Sequence, residues 1–291
     1  MSITAAMVNE LRKETDAGMM ACKNALTEAN GDFEKAKAIL RTKGQASAEK
    51  KSGRTAAEGL VVVKVANDGK SAAMVEINSE TDFVARDQNF TQFANQVSET
   101  ILKHSVTDVE KLAELTLQGT SETVEHARKN LVAKLGENIQ VRRAVVLSGD
   151  AITGYTHSGR IGVLVNMKGG DATIAKDIAM HIAASNPVVV SAEEVSKELI
   201  DKEREIYKAQ AQASGKPAEI VQKMIDGRIN KYLEEVSLLG QPFVKDDKMK
   251  VSQLLKSHQA EVIQFVRYQV GEGIEKKEHN FAEEVMAQVQ G

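Results

Sequence analysis

The sequence predicts an α+β protein of more than one compact unit, and three observations carry that expectation. Helical and strand periodicities alternate in blocks along the chain. A hairpin, helix and strand follow one another in the same order twice. At a soft scale of roughly 150 residues per domain, 291 residues make about two domains. Hydrophobic residues form 42% and charged residues 27% of the chain, which is the balance of a folded protein rather than a disordered one.

Residues 1–45 read as three short helices. Thr4 is placed to cap the first, ahead of Met7, Val8 and Leu11 at helical spacing. Asp16-Ala17-Gly18 breaks it. The second helix carries Met20, Cys22, Ala25, Leu26 and Ala29, and the third Phe33, Ala36, Ile39 and Leu40. Between them Gly31 suits a helix C′ position and Asp32 the next N-cap. So small a bundle buries little surface, which makes it a docking module that shares apolar side chains between core and partner. Residues 46–58 read as a linker, because the stretch from Lys43 holds Gly44, Ser47, Ser52, Gly53 and the cations Lys50, Lys51 and Arg54 without apolar periodicity beyond small alanines.

Residues 59–148 form a first core subdomain. Leu60–Val65 is β-rich, Asn67–Lys70 is a hairpin turn, Ala72–Ile77 is the returning strand, and Phe90, Phe93, Ala94, Val97 and Ile101 mark a helix. The second subdomain takes residues 149–190 and 238–270. In it Gly154–Arg160 leads into the strand Ile161–Met167, and Ile174, Ile178, Ala179, Ile182 and Ala183 mark its helix. Asn138–Arg143 resembles Val262–Arg267, which extends the repeat and implies two related subdomains with small antiparallel sheets. Residues 191–237 interrupt the second copy. Val195, Leu199, Ile206, Ala209 and Ala213 precede a turn at Ser214–Pro217, and Ile220, Met224, Ile229, Tyr232, Leu233 and Val236 follow it, as in an antiparallel coiled-coil hairpin. The remainder, 271–291, ends as an amphipathic C-terminal helix with Phe281, Val285, Met286 and Val289.

Composition excludes several function classes. The lone Cys22 rules out an intramolecular disulfide and every multi-cysteine zinc site, fits a reducing cytosol, and reads as a small buried apolar residue. The N-terminus reaches charged residues before a signal peptide could complete, and no run approaches the ~18–20 apolar residues of a membrane span. A cytoplasmic chain with no membrane partner is expected. A net charge of −3 and an aromatic content of 4% argue against nucleic acid as a partner. Catalytic templates also fail. Gly69-Lys70-Ser71 ends like a phosphate loop, but Lys64 stands where that loop needs glycine, and the segment is a turn between strands. Gly271-Glu272-Gly273 is followed by Lys276 instead of the third glycine of a dinucleotide site. His104, His126, His157, His181, His258 and His279 lack metal-ligand spacing. No catalytic residue, cofactor, metal or small-molecule substrate is expected, and a binding protein fits better than an enzyme.

One segment escapes these accounts. Asn78–Asp87 is a polar, acidic loop with Phe83 at its centre, in a chain with 7 Phe, 4 Tyr and no Trp. Asp82 could cap the following helix with Phe83 as its hydrophobic staple. Alternatively, Asp82-Phe83 is a tip that inserts between elements of a partner. Both readings stand on the residues alone.

Larger motifs favour the second. Leu11-Arg12 with Thr15–Leu26 is similar to the signature T-G-A-G-M-M-D-C-K-K-A-L, and Thr81–Ala85 to T-D-F-V-A; His181–Ala184 and Gly240–Val244 match two more, in order, along essentially the whole chain. On these residues the chain resembles bacterial elongation factor Ts, the nucleotide exchange factor of the GTPase elongation factor Tu. Asp16, Ala21 and Asn24 depart from the signature, and Arg86 stands where many members have Lys. The resemblance implies a ubiquitin-associated (UBA-like) fold for the N-terminal bundle and exchange without bond-making chemistry. Its partner would be elongation factor Tu, both GDP-bound and nucleotide-free, with no cofactor. It also implies that Thr81, Asp82, Phe83 and Val84 disturb the partner's Mg²⁺ and phosphate region, with Phe83 as the wedge, while Arg12, Met19, Met20 and His157 make further contacts. Adjacent helical residues point about 100° apart, so one of Met19 and Met20 is expected in the bundle core and the other toward the partner.

Overall fold

The structure, a computed structural model, describes residues 2–15, 17–212 and 217–275. Three N-terminal helices, α1 (Ala5–Thr15), α2 (Met19–Glu28) and α3 (Phe33–Lys51), precede the strands β1 (Glu58–Val65) and β2 (Ser71–Ser79). Four helices follow: α4 (Asp82–Ala85), α5 (Gln88–His104), α6 (Val109–Glu114) and α7 (Val124–Leu135). Next come β3 (Ile139–Ser148), β4 (Ile152–His157), β5 (Ile161–Lys168) and the helices α8 (Ala172–Ser185), α9 (Lys197–Gln212) and α10 (Ala218–Val236). The chain closes with β6 (Pro242–Phe243), β7 (Asp246–Lys250), α11 (Val251–Ser257) and β8 (Glu261–Gln269). Helices beside small antiparallel sheets make the fold α+β. One compact unit holds the described residues up to Val62, Val75–Val145 and those from Gln269 on; the other holds Val63–Met74 and Val146–Tyr268.

In the first unit Thr4 Oγ1 accepts from the Met7 N–H at 3.3 Å, and Asp32 caps α3 by accepting from Lys35 N. The left-handed C′ position after α2 falls on Asn30 (φ 55°), with Gly31 (φ 86°) one place later donating to Leu26 O at 2.8 Å. Asn tolerates that conformation, so the turn closes one residue earlier than glycine alone suggests. Leu11, Cys22, Ala25, Leu26 and Ala36 form the buried centre of the bundle.

The helix α3 runs six residues into the segment expected to be a linker, so 46–51 is helical and only 52–57 connects it to β1. Ala46, Ala48, Glu49, Lys50 and Lys51 are good helix formers, and Ala48 is buried. Gly44, which suggested flexibility, is a packing residue: a Cβ there would lie 3.1 Å from Ala133 Cβ where α3 meets α7.

Strand order explains the repeat. The sheets are β1-β2-β3 and β4-β5-β8, so in each a hairpin is followed by helices and a third strand returns beside the hairpin's second strand. In β4–β5, Tyr155 lies opposite Val163 and His157 opposite Ile161. The helix α8 packs across both strands, and Val163, Val165, Ile178, Ile182, Leu238 and Phe243 fill the core beneath it. Between α8 and β8 stand α9 and α10, packed on each other through Ile200, Tyr207, Ala211, Val221, Ile225, Ile229 and Leu233. The stripe on α9 is therefore shifted one residue from the expected Leu199 and Ile206, which are 38% and 42% exposed. Both registers repeat every seven residues, and only the facing helix decides between them. The expected C-terminal helix, Ala213 and the turn residues Ser214–Lys216 lie outside the described residues. Among those described, no helix is long and apolar enough to cross a membrane.

The first unit also buries a carboxylate. Glu76 on β2 is fully buried and accepts from Arg142 at 3.0 Å, Arg143 at 2.6 Å, Asn78 Nδ2 at 3.1 Å and the Gly271 N–H at 2.8 Å. Burial alone would raise its pKa, but the Gly271 N–H, Asn78 and Arg143 outweigh it and hold the carboxyl below its ordinary value. The backbone at Gly271 passes so close that a Cβ would sit 2.3 Å from Ala57 O.

Candidate functional site

The site is built on the turn that leaves β2. Thr81 Oγ1 accepts from Val84 N at 3.4 Å and so caps α4, the role the staple reading gave to Asp82. Asp82 instead pairs with Arg86 at 2.8 Å on the solvent side, and Asp87 caps the next helix by accepting from Asn89 and Phe90 N–H groups. Val84 and Ala85 are buried, which fixes the inner face of this single turn. Its outer face carries Phe83, 81% exposed. Burying a Phe side chain stabilises a fold by about 1.5–3 kcal/mol, so a staple would have taken it inward; the fold leaves that gain unused. The turn is nevertheless pinned. Thr81 N donates to Glu137 Oε2 at 2.9 Å and Thr81 Oγ1 to Glu137 Oε1 at 2.6 Å, while Asn138 N donates to Glu80 Oε1 at 2.6 Å.

In the same unit, Arg12 is exposed on α1, which packs against α2. Met19 and Met20 are 52% and 64% exposed, so neither enters the core. Cys22, Ala25, Leu26 and Ala29 define the inner face of α2, and at 100° per residue Met20 falls opposite it and Met19 at its edge, in the first turn. Two exposed methionines offer a soft, adaptable apolar surface. In the other unit, His157 is exposed at the end of β4, with its Nδ1 3.3 Å from Tyr155 Oη. The remaining matched motifs bury His181, Ile182, Ala183, Gln241 and Phe243 and leave Ala184, Pro242 and Val244 exposed. His181, fully buried, lies with Nε2 2.9 Å from Gln241 Oε1 and accepts at Nδ1 from Val244 N at 3.2 Å. Gln241 Nε2 donates to Glu235 O at 2.7 Å, which orients its amide and makes His181 Nε2 the protonated nitrogen. Burial pushes the pKa of His181 down. No cluster of three potential metal ligands occurs among the described residues.

A family model described as "Elongation factor TS" matches residues 80–272, a span that begins at this turn. Elongation factor Ts of Legionella pneumophila (strain Paris) is 57% identical over 289 residues, covering 99% of each chain. That of Thioalkalivibrio sulfidiphilus is 57% identical over 294 residues, covering 100% of each, and that of Coxiella burnetii 52% over 292 residues. The chain belongs to the elongation factor Ts family. It is thereby one of the translation elongation factors of protein biosynthesis.

Within the elongation factor Ts signature, the departures Ala21 and Asn24 are exposed on α2, so the bundle core does not depend on them; Asp16 lies outside the described residues. Glu137 and Asn138 also hold the Thr81–Val84 turn, and nothing in the sequence singles them out for that role. Glu137 is 56 positions from Thr81 and follows Gly136, the left-handed cap of α7. No periodicity or spacing links two residues that only strand pairing brings together.

Proposed function

We propose that this chain is the guanine nucleotide exchange factor of elongation factor Tu, and that the Thr81–Val84 turn disturbs the partner's Mg²⁺ and phosphate site so that GDP leaves and GTP can bind. The observation that carries the site assignment is Phe83: an aromatic side chain, 81% exposed, on a turn whose other face is buried and hydrogen-bonded. A GTPase holds GDP largely through phosphate contacts and a neutralising Mg²⁺. An apolar wedge that shifts the surrounding loops weakens that hold without bond chemistry, and Asp82 beside it can perturb the polar network around the ion. Weakening the GDP-bound state by roughly 4 kcal/mol, with the transition state unaffected, raises release about a thousandfold. Linkage requires nucleotide to weaken the exchange factor in the same proportion, so the factor binds GDP-bound and nucleotide-free partner in turn and recycles.

The other assignments follow from this reading. Arg12, Met19 and Met20 on a UBA-like bundle and His157 on the second subdomain anchor the partner, Val84 secures the wedge from inside, and the α9–α10 coiled coil is an interaction arm. The domain plan is 1–45, a segment 46–58 whose first six residues continue α3 and whose remainder connects to β1, then 59–148, 149–190 with 238–270, the arm 191–237 and a C-terminal module 271–291. The protein works in the cytoplasm, without cofactor or membrane. Release of a fluorescent GDP from elongation factor Tu, with and without this protein, tests the proposal. Acceleration is expected, and an unchanged rate would remove the assignment.

A further inference from the structure

We infer that Glu137 is a positioning residue for exchange, acting through Thr81 to present Phe83 in a fixed orientation; this rests on the reading of Phe83 as the wedge. A four-residue helix has no stability of its own, since the first hydrogen-bonded turn is a costly nucleus. Something else must hold α4. The buried pair Val84 and Ala85 fixes its depth, but the entry angle is set at Thr81, and there Glu137 takes both donors of one residue, the N–H at 2.9 Å and the O–H at 2.6 Å. Because the hydroxyl donates to Glu137, its lone pairs face the Val84 N–H that it caps at 3.4 Å, so the carboxylate also orients the cap.

The support is itself supported. Gly136 closes α7 with φ 83° and donates to Val132 O at 3.0 Å, and the next residue is Glu137. On the other side Asn138, fully buried, donates from its backbone to Glu80 and from Nδ2 to Ser52 O at 3.2 Å and Arg54 O at 2.8 Å. Three segments that are distant in sequence thus converge on the base of the Phe83 turn. An exposed aromatic on a loose turn would lose ordering entropy on entering a partner, and a preset one avoids that cost.

Two readouts on the full chain test this: amide hydrogen exchange, and stopped-flow release of fluorescent GDP from elongation factor Tu. The chains compared are wild type, Glu137→Ala, Glu137→Gln, Phe83→Ala and the Phe83→Ala/Glu137→Ala double variant. In Glu137→Ala the Thr81 and Val84 amides should exchange at least about tenfold faster, and release should slow by about tenfold. Glu137→Gln, which keeps one acceptor, should lie between, and carries the comparison if the alanine variant does not fold. The double variant should be no slower than Phe83→Ala alone, because an absent wedge cannot be misplaced; a side chain needed only for stability would give losses that multiply. Multiplying losses, or unaltered exchange at Thr81 and Val84, overturn the inference. Should Phe83→Ala release GDP at the wild-type rate, the wedge reading fails, and the exchange data alone then decide whether Glu137 holds the turn.

Discussion

The two hairpin–helix–strand copies use the same cap and differ in the turn before it. Asp87 caps α5 and Asp171 caps α8, each accepting from the N–H groups two and three residues on. Ahead of Asp171 the chain leaves β5 through Gly169 and Gly170, both at φ +71°, pressed against the segment before β8. Ahead of Asp87 it leaves β2 through Glu80–Arg86, long enough for the extra turn α4 and its exposed Phe83. One copy has been drawn tight for packing and the other extended to hold a side chain outward. The scaffold is common to both, and the proposed function resides in what was grafted between strand and helix in the first.

Substitutions separate the two roles. The largest effect on stability is expected in the tight turn. A Cβ at Gly169 would lie 2.2 Å from Gln259 O in a left-handed conformation, so Gly169→Val should cost about 3 kcal/mol or more and lower the melting temperature by roughly 6 °C or more. A shift of a degree or two would show that this copy is not drawn tight. Next comes the buried carboxylate of the first copy, for which Glu76→Gln should cost about 3 kcal/mol at pH 7. The Glu76 pKa is lowered by folding, so its contribution is full above the ordinary value of 4.5 and is lost as pH falls through the folded value. Urea unfolding at pH 7 and near pH 3 should therefore show wild type and variant converging in acid; a constant gap would contradict the charge account.

The smallest effect belongs to His181 in the second copy. Its pKa is also lowered, so the fold favours the neutral ring, and stability should fall as pH drops below 6.5. Protonation would place an N–H on Nδ1 against the Val244 N–H, a loss of about one hydrogen bond, or ~1 kcal/mol. Melting temperatures between pH 7.5 and 5.5 should decline more steeply in wild type than in His181→Gln. Equal slopes would remove the ring from that pH response.

Much of this organisation is legible in the chain itself. The apolar positions of α5 and α8 are set by local periodicity, and those named for both helices are buried. What failed did so where a residue's role is decided by something distant. Gly44 signals flexibility locally but serves the approach of α3 to Ala133. Leu199 and Ile206 fit a heptad as well as Ile200 and Tyr207 do, and α10 selects the latter. For Phe83 the local pattern favours a staple over a tip, and only the fold shows which face of α4 is buried. The Glu137–Thr81 contact has no local trace at all.

On the proposed function Phe83 serves the partner and not the fold. Phe83→Ala tests it most directly, with melting temperature and stimulated GDP release measured on the same preparation. The melting temperature should be unchanged and the release rate lower by roughly thirtyfold, the scale of losing a central aromatic anchor worth about 2 kcal/mol. A variant that melts several degrees lower, or that stimulates release as fast as wild type, would contradict that role.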